Sequence, residues 1–349
     1  MDNLPSIARL SDNVVRVLGQ NPGKFTLQGT NTYIVGRENP YLLIDTGEGR
    51  DEYIPLLESA FRDTAQTKNL THPDVSDIII SHWHHDHVGG LPSVLALLRR
   101  RWEERKTGLP YKPPRLHKLL LPESHISTGL STHDPLPSIT ASLERDLLTP
   151  APDGTVFHAL QDGQHLSVTS APPLQVLHTP GHTIDSVSIY IPSDRALYTA
   201  DTVLGQGTAV FEDLSAYLSS LREMLQFVKA QAQGHPEPVV LLYPGHGPVL
   251  SNGEDTLNMY IQHRLEREAQ IISVLQTAPP ADDGAIPGFW TTWTIVKNIY
   301  ALYPESLWLP AARGIDLHLK KLEADGIVKR VGGVGKDTSW VLTKQTGNV

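Results

Sequence analysis

The chain has 349 residues, a formal net charge of −9, and 40% hydrophobic against 19% charged residues. These values fit a folded globular protein with room for two domains, and they argue against a disordered chain or a general nucleic-acid binder. Cysteine is absent, which excludes disulfides and thiolate ligands, so a metal site must be built from His, Asp and Glu.

Strand signals run over residues 13–18, 31–36 and 41–45, with Gly, Pro and Asn between them. Ile54, Leu57, Ala60 and Phe61 recur at helical spacing and predict a helix over 51–65. Residues 75–80 read as a buried strand and 91–105 as a helix with a charge-dense tail. A Gly-, Pro- and Lys-rich loop is expected at 106–115, then a polar insert at 122–155 with a short helix near 139–148. Strands resume at 165–169, 174–178, 187–191 and 196–200, followed by an amphipathic helix at 214–228 and a buried strand at 239–243.

After Gly247 the pattern changes. One long helix is expected over 255–277, a breaker-rich segment over 278–288, helices over 291–303 and 309–325, and a hairpin over 327–343. That outline suits a small winged helix-turn-helix unit. The expected organisation is a catalytic domain over 1–250, a connecting helix and linker over 251–288, and a winged-helix-like domain over 289–349. The N-terminus carries no basic stretch followed by an apolar core, and no window has the apolar length a bilayer demands. A soluble, cytoplasmic protein without a membrane partner is the expectation.

Residues 81–90 read Ser-His-Trp-His-His-Asp-His-Val-Gly-Gly, directly after the apolar run at 75–80. In an extended chain His82 and His84 point the same way, because side-chain direction repeats every two residues. Asp86 and His87 sit where the chain turns out of the strand, facing a second position beside the first. Two imidazoles on one centre, with a carboxylate and an imidazole on another, suit a pair of divalent ions. His85 is the spacer between them. Later in the chain, His182 follows a strand and a Pro-Gly turn, Asp201 ends a strand pair, and His246 repeats the strand, turn and histidine device.

With these residues in place, the chain resembles the metallo-β-lactamase superfamily, through Asp45 in Leu-Ile-Asp-Thr-Gly and then His82, His84, Asp86, His87, His182, Asp201 and His246. The resemblance implies an αβ/βα sandwich, of α/β class, with metals at the strand ends of one edge. It implies that His82, His84 and His182 bind one ion, that Asp86, His87 and His246 bind the other, that Asp201 bridges them, and that Asp45 supports the site. Zinc is the default for such ligands, and an all-nitrogen-and-oxygen set also suits manganese.

Within the superfamily, His84 stands where flavodiiron proteins carry Glu, which disfavours a redox-iron role. The stretches at 21–33, 205–214 and 243–248 look like the lactamase-beta-like group. That group holds single-strand endoribonucleases and the discrete thioesterases of fungal non-reducing polyketide synthases. The thioesterase is the favoured expectation, with the acyl carrier protein and an aromatic polyketide thioester as partners and nucleic acid disfavoured. The endoribonuclease is the alternative. In either case the ions would lower the pKa of a shared water and polarise the group under attack, with Asp86 taking the proton.

Three further expectations come from the residues. Arg99, Arg100, Arg101, Arg105, Lys106, Lys112, Arg115 and Lys118 form the densest basic stretch. It reads as a docking surface for an acidic partner or, with Glu103 and Glu104 interspersed, as a solvated helix tail. Phe25, Thr208 and Phe211 are assigned to the cleft rim, with core packing the alternative for both phenylalanines. The C-terminal helix mixes Arg313, Lys320 and Lys321 with Asp316, Glu323 and Asp325. A DNA-reading helix needs a cleaner basic face, so the unit is expected to shape one wall of the active-site cleft.

Overall fold

The strand Val75–Ile80 sets the layering: Ile78 and Ile80 face one apolar core and Ile79 another. This is the alternation of an extended chain buried on both faces, and each fully buried isoleucine contributes about 1.5–3 kcal/mol. The computed structural model describes residues 4–64, 69–121, 134–234, 240–280 and 288–343. Residues 122–133 of the expected polar insert and 281–287 of the expected breaker segment lie outside them.

Two sheets pack face to face. The first has seven strands in chain order: β1 (Ile7–Arg9), β2 (Val14–Leu18), β3 (Asn31–Val35), β4 (Tyr41–Ile44), β5 (Val75–Ile80), β6 (Arg115–Lys118) and β7 (Phe157–Ala159). It is antiparallel up to β4 and parallel from β4 onward. The second holds β8 (His165–Val168), β9 (Ala171–His178), β10 (Val187–Ile191), β11 (Ala196–Ala200) and β12 (Leu241–Pro244) in reverse order. Only β11 and β12 run parallel there.

Ile44, Ile79, Val176, Ile189 and Tyr198 help fill the space between the sheets. Helices α1 (Tyr53–Thr64) and α3 (Leu91–Glu104) cover the outer face of the first sheet through Leu57, Phe61, Val94 and Leu98. The second sheet is covered by α5 (Leu214–Ala232) and α6 (Gly253–Leu275), with Leu218, Leu221, Leu257 and Tyr260 in the contact. Two short helices, α2 (His85–Val88) and α4 (Leu136–Ser142), lie in the connections. The result is the expected αβ/βα sandwich.

The C-terminal unit has its own core around Trp340, Ile295, Ile315 and Leu319, closed by Ile271 from α6. It comprises α7 (Thr292–Ile299), α8 (Trp308–Ala324) and a sheet of β13 (Trp290–Thr291), β14 (Val328–Gly332) and β15 (Ser339–Leu342). Helix α7 begins at a Thr291–Thr294 capping box and stops at Ile299, shorter than the expected helix over 291–303. Among the described residues no helix is long and apolar enough to cross a membrane.

The basic stretch does not form a free docking face. Arg101 and Arg105 bury their guanidinium groups on Asp74 at 2.8 and 2.6 Å. Arg115 grips Asp77 with two nitrogens, Arg100 meets Glu58 at 2.9 Å, and buried Lys118 pairs with buried Asp185. Arg115 to Lys118 is also strand β6, although polar residues at these positions gave no strand signal. Pairing with Asp77 and Asp185 is what lets them enter the sheet.

Candidate metal centre

The carboxyl ends of β4, β5, β9, β11 and β12 converge on one edge of the sandwich. Asn31 ties the two sheets together there: its N–H donates to Gly245 O, and its side chain donates to Pro244 O and Gly247 O. Sequence spacing predicted an extended chain through His82 and His84. The strand instead ends at Ile80, and the chain bends at His82 and Trp83 before α2 begins. The imidazoles converge all the same, because one presents Nε2 and the other Nδ1. His82 Nε2 lies 3.0 Å from His84 Nδ1, and His182 Nε2 lies 2.9 Å from that same atom.

Donor atoms of His82, His84, His182 and Asp201 lie within 4.8 Å of one another, and so do those of Asp86, His87 and His246. The Asp201 carboxylate faces both groups. Its Oδ2 is 3.7 Å from His182 Nε2 and 3.1 Å from His246 Nε2, and its Oδ1 is 3.4 Å from His87 Nε2. Asp86 Oδ2 stands 3.3 Å from His87 Nε2 and 3.2 Å from His246 Nε2. All seven expected site residues are therefore gathered in one place. His85, the spacer, is exposed.

Tight turns make this convergence possible. Gly181 adopts φ +132°, and a Cβ there would fall 2.3 Å from Tyr217 Cα at the start of α5. At Gly245 a Cβ would meet Asp201 Oδ1 at 2.3 Å. Asp45 and Ala200 are not glycines, yet both hold positive φ, 58° and 45°. Such left-handed residues cost on the order of 1–3 kcal/mol each and persist where surrounding contacts fix them.

Those contacts are visible at Asp45. Its Oδ1 accepts from the Ser81 N–H, while Oδ2 accepts from Ser81 Oγ, His87 Nδ1 and the Tyr198 hydroxyl. Since Ser81 spends its hydroxyl proton on Asp45, its oxygen accepts from His82 Nδ1 at 3.0 Å. His182 Nδ1 likewise donates to Val210 O at 2.9 Å, and His246 Nδ1 faces Gly29 O at 3.4 Å. Each of these rings has its outer N–H directed to an oxygen, which leaves the inner nitrogen facing the centre. That is the arrangement in which outer partners orient metal-binding histidines.

The charge balance points the same way. Burial and neighbouring imidazoles hold His82 well below the usual histidine pKa, and burial and His182 lower His84 to about 4. Burial opposes protonation of His87 and His246, but the surrounding carboxylates outweigh it, led by Asp86 at His87 and Asp201 at His246. His87 is held well above its ordinary value and His246 at about 9. Burial likewise works against ionised Asp86 and Asp201, and their histidine neighbours hold both far down the carboxylate range. The centre thus carries anionic oxygens that demand cations. His87 Nε2 and Asp201 Oδ1 are also buried without a hydrogen-bond partner. Inward-facing imidazole nitrogens, ionised carboxylates and unpartnered buried atoms fit divalent cations.

Comparison with known proteins bears directly on this geometry. A family model described as Metallo-beta-lactamase superfamily matches residues 25–246. The chain belongs to the metallo-β-lactamase superfamily. A second model, described as Beta-lactamase associated winged helix domain, matches residues 291–340. The "Beta-lactamase-like protein 2 homolog" of Caenorhabditis elegans is 33% identical over 94% of this chain and 90% of its own. The "Atrochrysone carboxyl ACP thioesterase" of Aspergillus novofumigatus is also 33% identical, over 94% of this chain and 84% of its own. A crystal structure of a beta-lactamase domain protein from Burkholderia ambifaria matches with a TM-score of 0.68 at 16% identity. It covers 98% of this chain and 96% of that one, and shows likeness of fold. The chain is thus a hydrolase of metallo-β-lactamase fold with a His/Asp cluster suited to divalent metals.

Two adjoining hollows open on the donors. One, of about 560 Å³, is lined by Trp83, His84, Asp86, His182, Asp201 and His246. The other, of about 710 Å³, runs from His84 and His182 to α6 and α8. Phe25, Thr208 and Phe211 all line the second hollow, as expected of rim residues. Phe25 is 70% exposed, whereas Phe211 also packs into the core beside Tyr217. Leu309, Pro310, Ala311 and Ile315 make the C-terminal unit one wall. Sequence reasoning missed Ser81, Tyr198 and Thr30, whose hydroxyl donates to Asp86 Oδ2 at 2.8 Å. It also missed Arg264, which donates to Ala209 O at 2.7 Å. Thr30 lies within the Gly-Thr-Asn-Thr-Tyr run and Ser81 within the histidine cluster, so both had a signal. Tyr198 and Arg264 had none.

Proposed function

We propose that the chain is a dinuclear metal-dependent thioesterase that releases an aromatic polyketide from an acyl carrier protein. The observation that carries this reading is the 710 Å³ chamber opening on His84 and His182, with apolar walls from Phe25, Val210, Phe211 and Leu309. A chamber of that size accommodates a bulky acyl group beside the reacting centre. Relatives named atrochrysone carboxyl ACP thioesterase, from Aspergillus novofumigatus and Pseudocercospora fijiensis, add support.

In this reading His82, His84 and His182 would hold one ion and Asp86, His87 and His246 the other, with the Asp201 carboxylate facing both groups. Zinc is the first choice for this donor set and manganese the second. Divalent ions held there would supply an attacking water acidic enough to react near neutral pH and a Lewis acid for the thioester carbonyl. Thr30, His87 and His246 all meet Asp86 through Oδ2, which leaves Oδ1 to take the proton of the attacking water. Burial and the adjacent Asp45 hold the Tyr198 phenol well above its ordinary pKa. Tyr198 therefore stays a hydrogen-bond donor to Asp45, which fixes His87 in turn.

The test is turnover of an aryl-acyl thioester on a carrier protein by metal-loaded protein, with single-stranded RNA in parallel. Thioester hydrolysis that is lost on chelation and restored by zinc or manganese is expected. RNA cleavage without thioester turnover would replace this reading with the endoribonuclease.

A further inference from the structure

The chamber between α6, α8 and the 208–212 segment has a charge that its apolar walls do not require. In a chain of net charge −9, its lining includes Arg264, Arg267 and Arg313, with Glu212 as the one carboxylate among the described lining residues. Arg264 is already engaged. It is buried, donates to Ala209 O, and stacks on Phe211 with its guanidinium 4.8 Å from the ring centroid. Arg267 is different: its guanidinium lies 4.8 Å over the Tyr300 ring, a contact that leaves its N–H edge available. Among the described residues, no carboxylate lies within ion-pair distance of Arg267 or Arg313. Several guanidinium groups elsewhere sit on carboxylates, as Arg101, Arg105 and Arg115 show. Arg267 is half-buried and Arg313 exposed on the chamber lining, so both keep N–H groups open to an incoming anion.

We propose that the chamber is an anion-selecting acyl pocket. It takes an aromatic acyl group bearing a negatively charged substituent remote from the thioester, a carboxylate or phenolate, with Arg267 and Arg313 as the counter-charges. The apolar wall of Leu309, Pro310 and Ile315 would cover the ring system while the guanidinium groups receive the charged end. A planar guanidinium matches a carboxylate edge and an aromatic face equally well. Two such groups on the lining of one partly apolar chamber suit one charged substituent. A nucleic-acid strand takes a continuous basic track instead. The proposal rests on the thioesterase reading, and it names the acyl class that reading leaves open.

The same chemistry can come from the phosphate of a phosphopantetheine arm, so the test separates the sources. Equilibrium binding of a hydroxynaphthoate and of its neutral amide is measured on metal-loaded protein, wild type and Arg267→Gln/Arg313→Gln. The wild type is expected to prefer the carboxylate by about tenfold or more, the scale of a charge-assisted contact. The double variant should lose that preference while keeping its affinity for the amide, which also shows that the chamber remains folded. A preference that survives in the double variant would place the anion at the metals and overturn the proposal. Arginine-dependent binding of free phosphopantetheine, or of single-stranded RNA, that displaces the carboxylate with equal strength would overturn it too. Turnover of a carboxylate-bearing aryl-acyl thioester of N-acetylcysteamine is followed separately. Its absence would count against the thioesterase reading without touching the binding result.

Discussion

The metal centre and the acyl chamber share His84 and His182 in their walls, yet they are built on opposite principles. The centre is assembled from strand ends, and its ligand-type side chains are held by directed hydrogen bonds, such as His82 to Ser81 and His87 to Asp45. The chamber is assembled from three segments far apart in the chain: the 208–212 loop, α6 and α8. It is held by packing and by a few long-range contacts such as Arg264 to Ala209 O. Chemistry therefore rests on directed hydrogen bonds to strand-end side chains, and specificity on packing between helices and a loop. The two regions can thus be damaged one at a time.

The largest effect is expected from His82→Ala/His84→Ala. Removing two converging imidazoles should abolish metal retention at that position and lower turnover by well over about a hundredfold, since losing an outer partner alone costs about 10–100-fold. Metal content and kcat report this. The chamber should persist, so an aromatic amide should still bind. Retention of both metal and activity would refute the assigned site. Asp45→Asn comes next. Asp45 accepts from Ser81, His87 and Tyr198, and an amide offers a donor where only acceptors fit. A drop in metal affinity of about 10–100-fold is expected, readable by competition with a chelator.

How much of this was legible in the sequence follows the same division. His82, His84, Asp86, His87, His182, Asp201 and His246 announce themselves because strand-end histidines and aspartates beside Gly and Pro have few other reasons to recur. The sandwich was legible because apolar runs such as 75–80 keep their period. The alternation argument for His82 and His84 failed in detail, since the chain bends there and the two rings converge through different nitrogens. Strand β6 was hidden because His117 and Lys118 are polar residues buried by partners distant in sequence, Asp77 and Asp185. Of the two readings of the basic stretch, the docking face failed for the same reason, while Arg99–Glu103 and Arg100–Glu104 form the solvated tail. Nothing within 99–118 reveals that Asp74 and Glu58 will neutralise it. Arg264 was invisible because a helical arginine gains meaning only from what packs against it.

Arg264→Met tests the chamber side. The substitution removes a buried charge-assisted hydrogen bond, worth about 1.5–3 kcal/mol, and the guanidinium stacking on Phe211. Thermal stability should fall accordingly, and kcat/KM for a bulky aryl-acyl thioester should fall about tenfold, the equivalent of 1.4 kcal/mol of positioning. Metal content should stay near that of the wild type, because His182 keeps its bond to Val210 O. Loss of metal comparable to the His82→Ala/His84→Ala variant would mean that the loop couples the regions and that they are not separable.

Glu212 gives the smallest and most specific signal, because it lies on the chamber wall and not among the ligands. Burial and the nearby Asp185 raise its pKa from 4.5 to about 7, with Arg313 acting in the opposite direction. In the folded protein the carboxyl keeps its proton over a range where the unfolded chain has released it. Its contribution to stability is therefore fully present below pH 4.5 and is lost as the pH rises to about 7, after which it is flat. Glu212→Gln removes this dependence. Relative to wild type, the variant should gain stability between pH 5 and pH 8 by about 1 kcal/mol after solvent screening, measured as the difference between their denaturant midpoints. Since Arg313 opposes the shift, Arg313→Gln should widen the difference. If it narrows the difference instead, Arg313 does not act on Glu212 across the chamber, and the cationic character assigned to that wall fails with it.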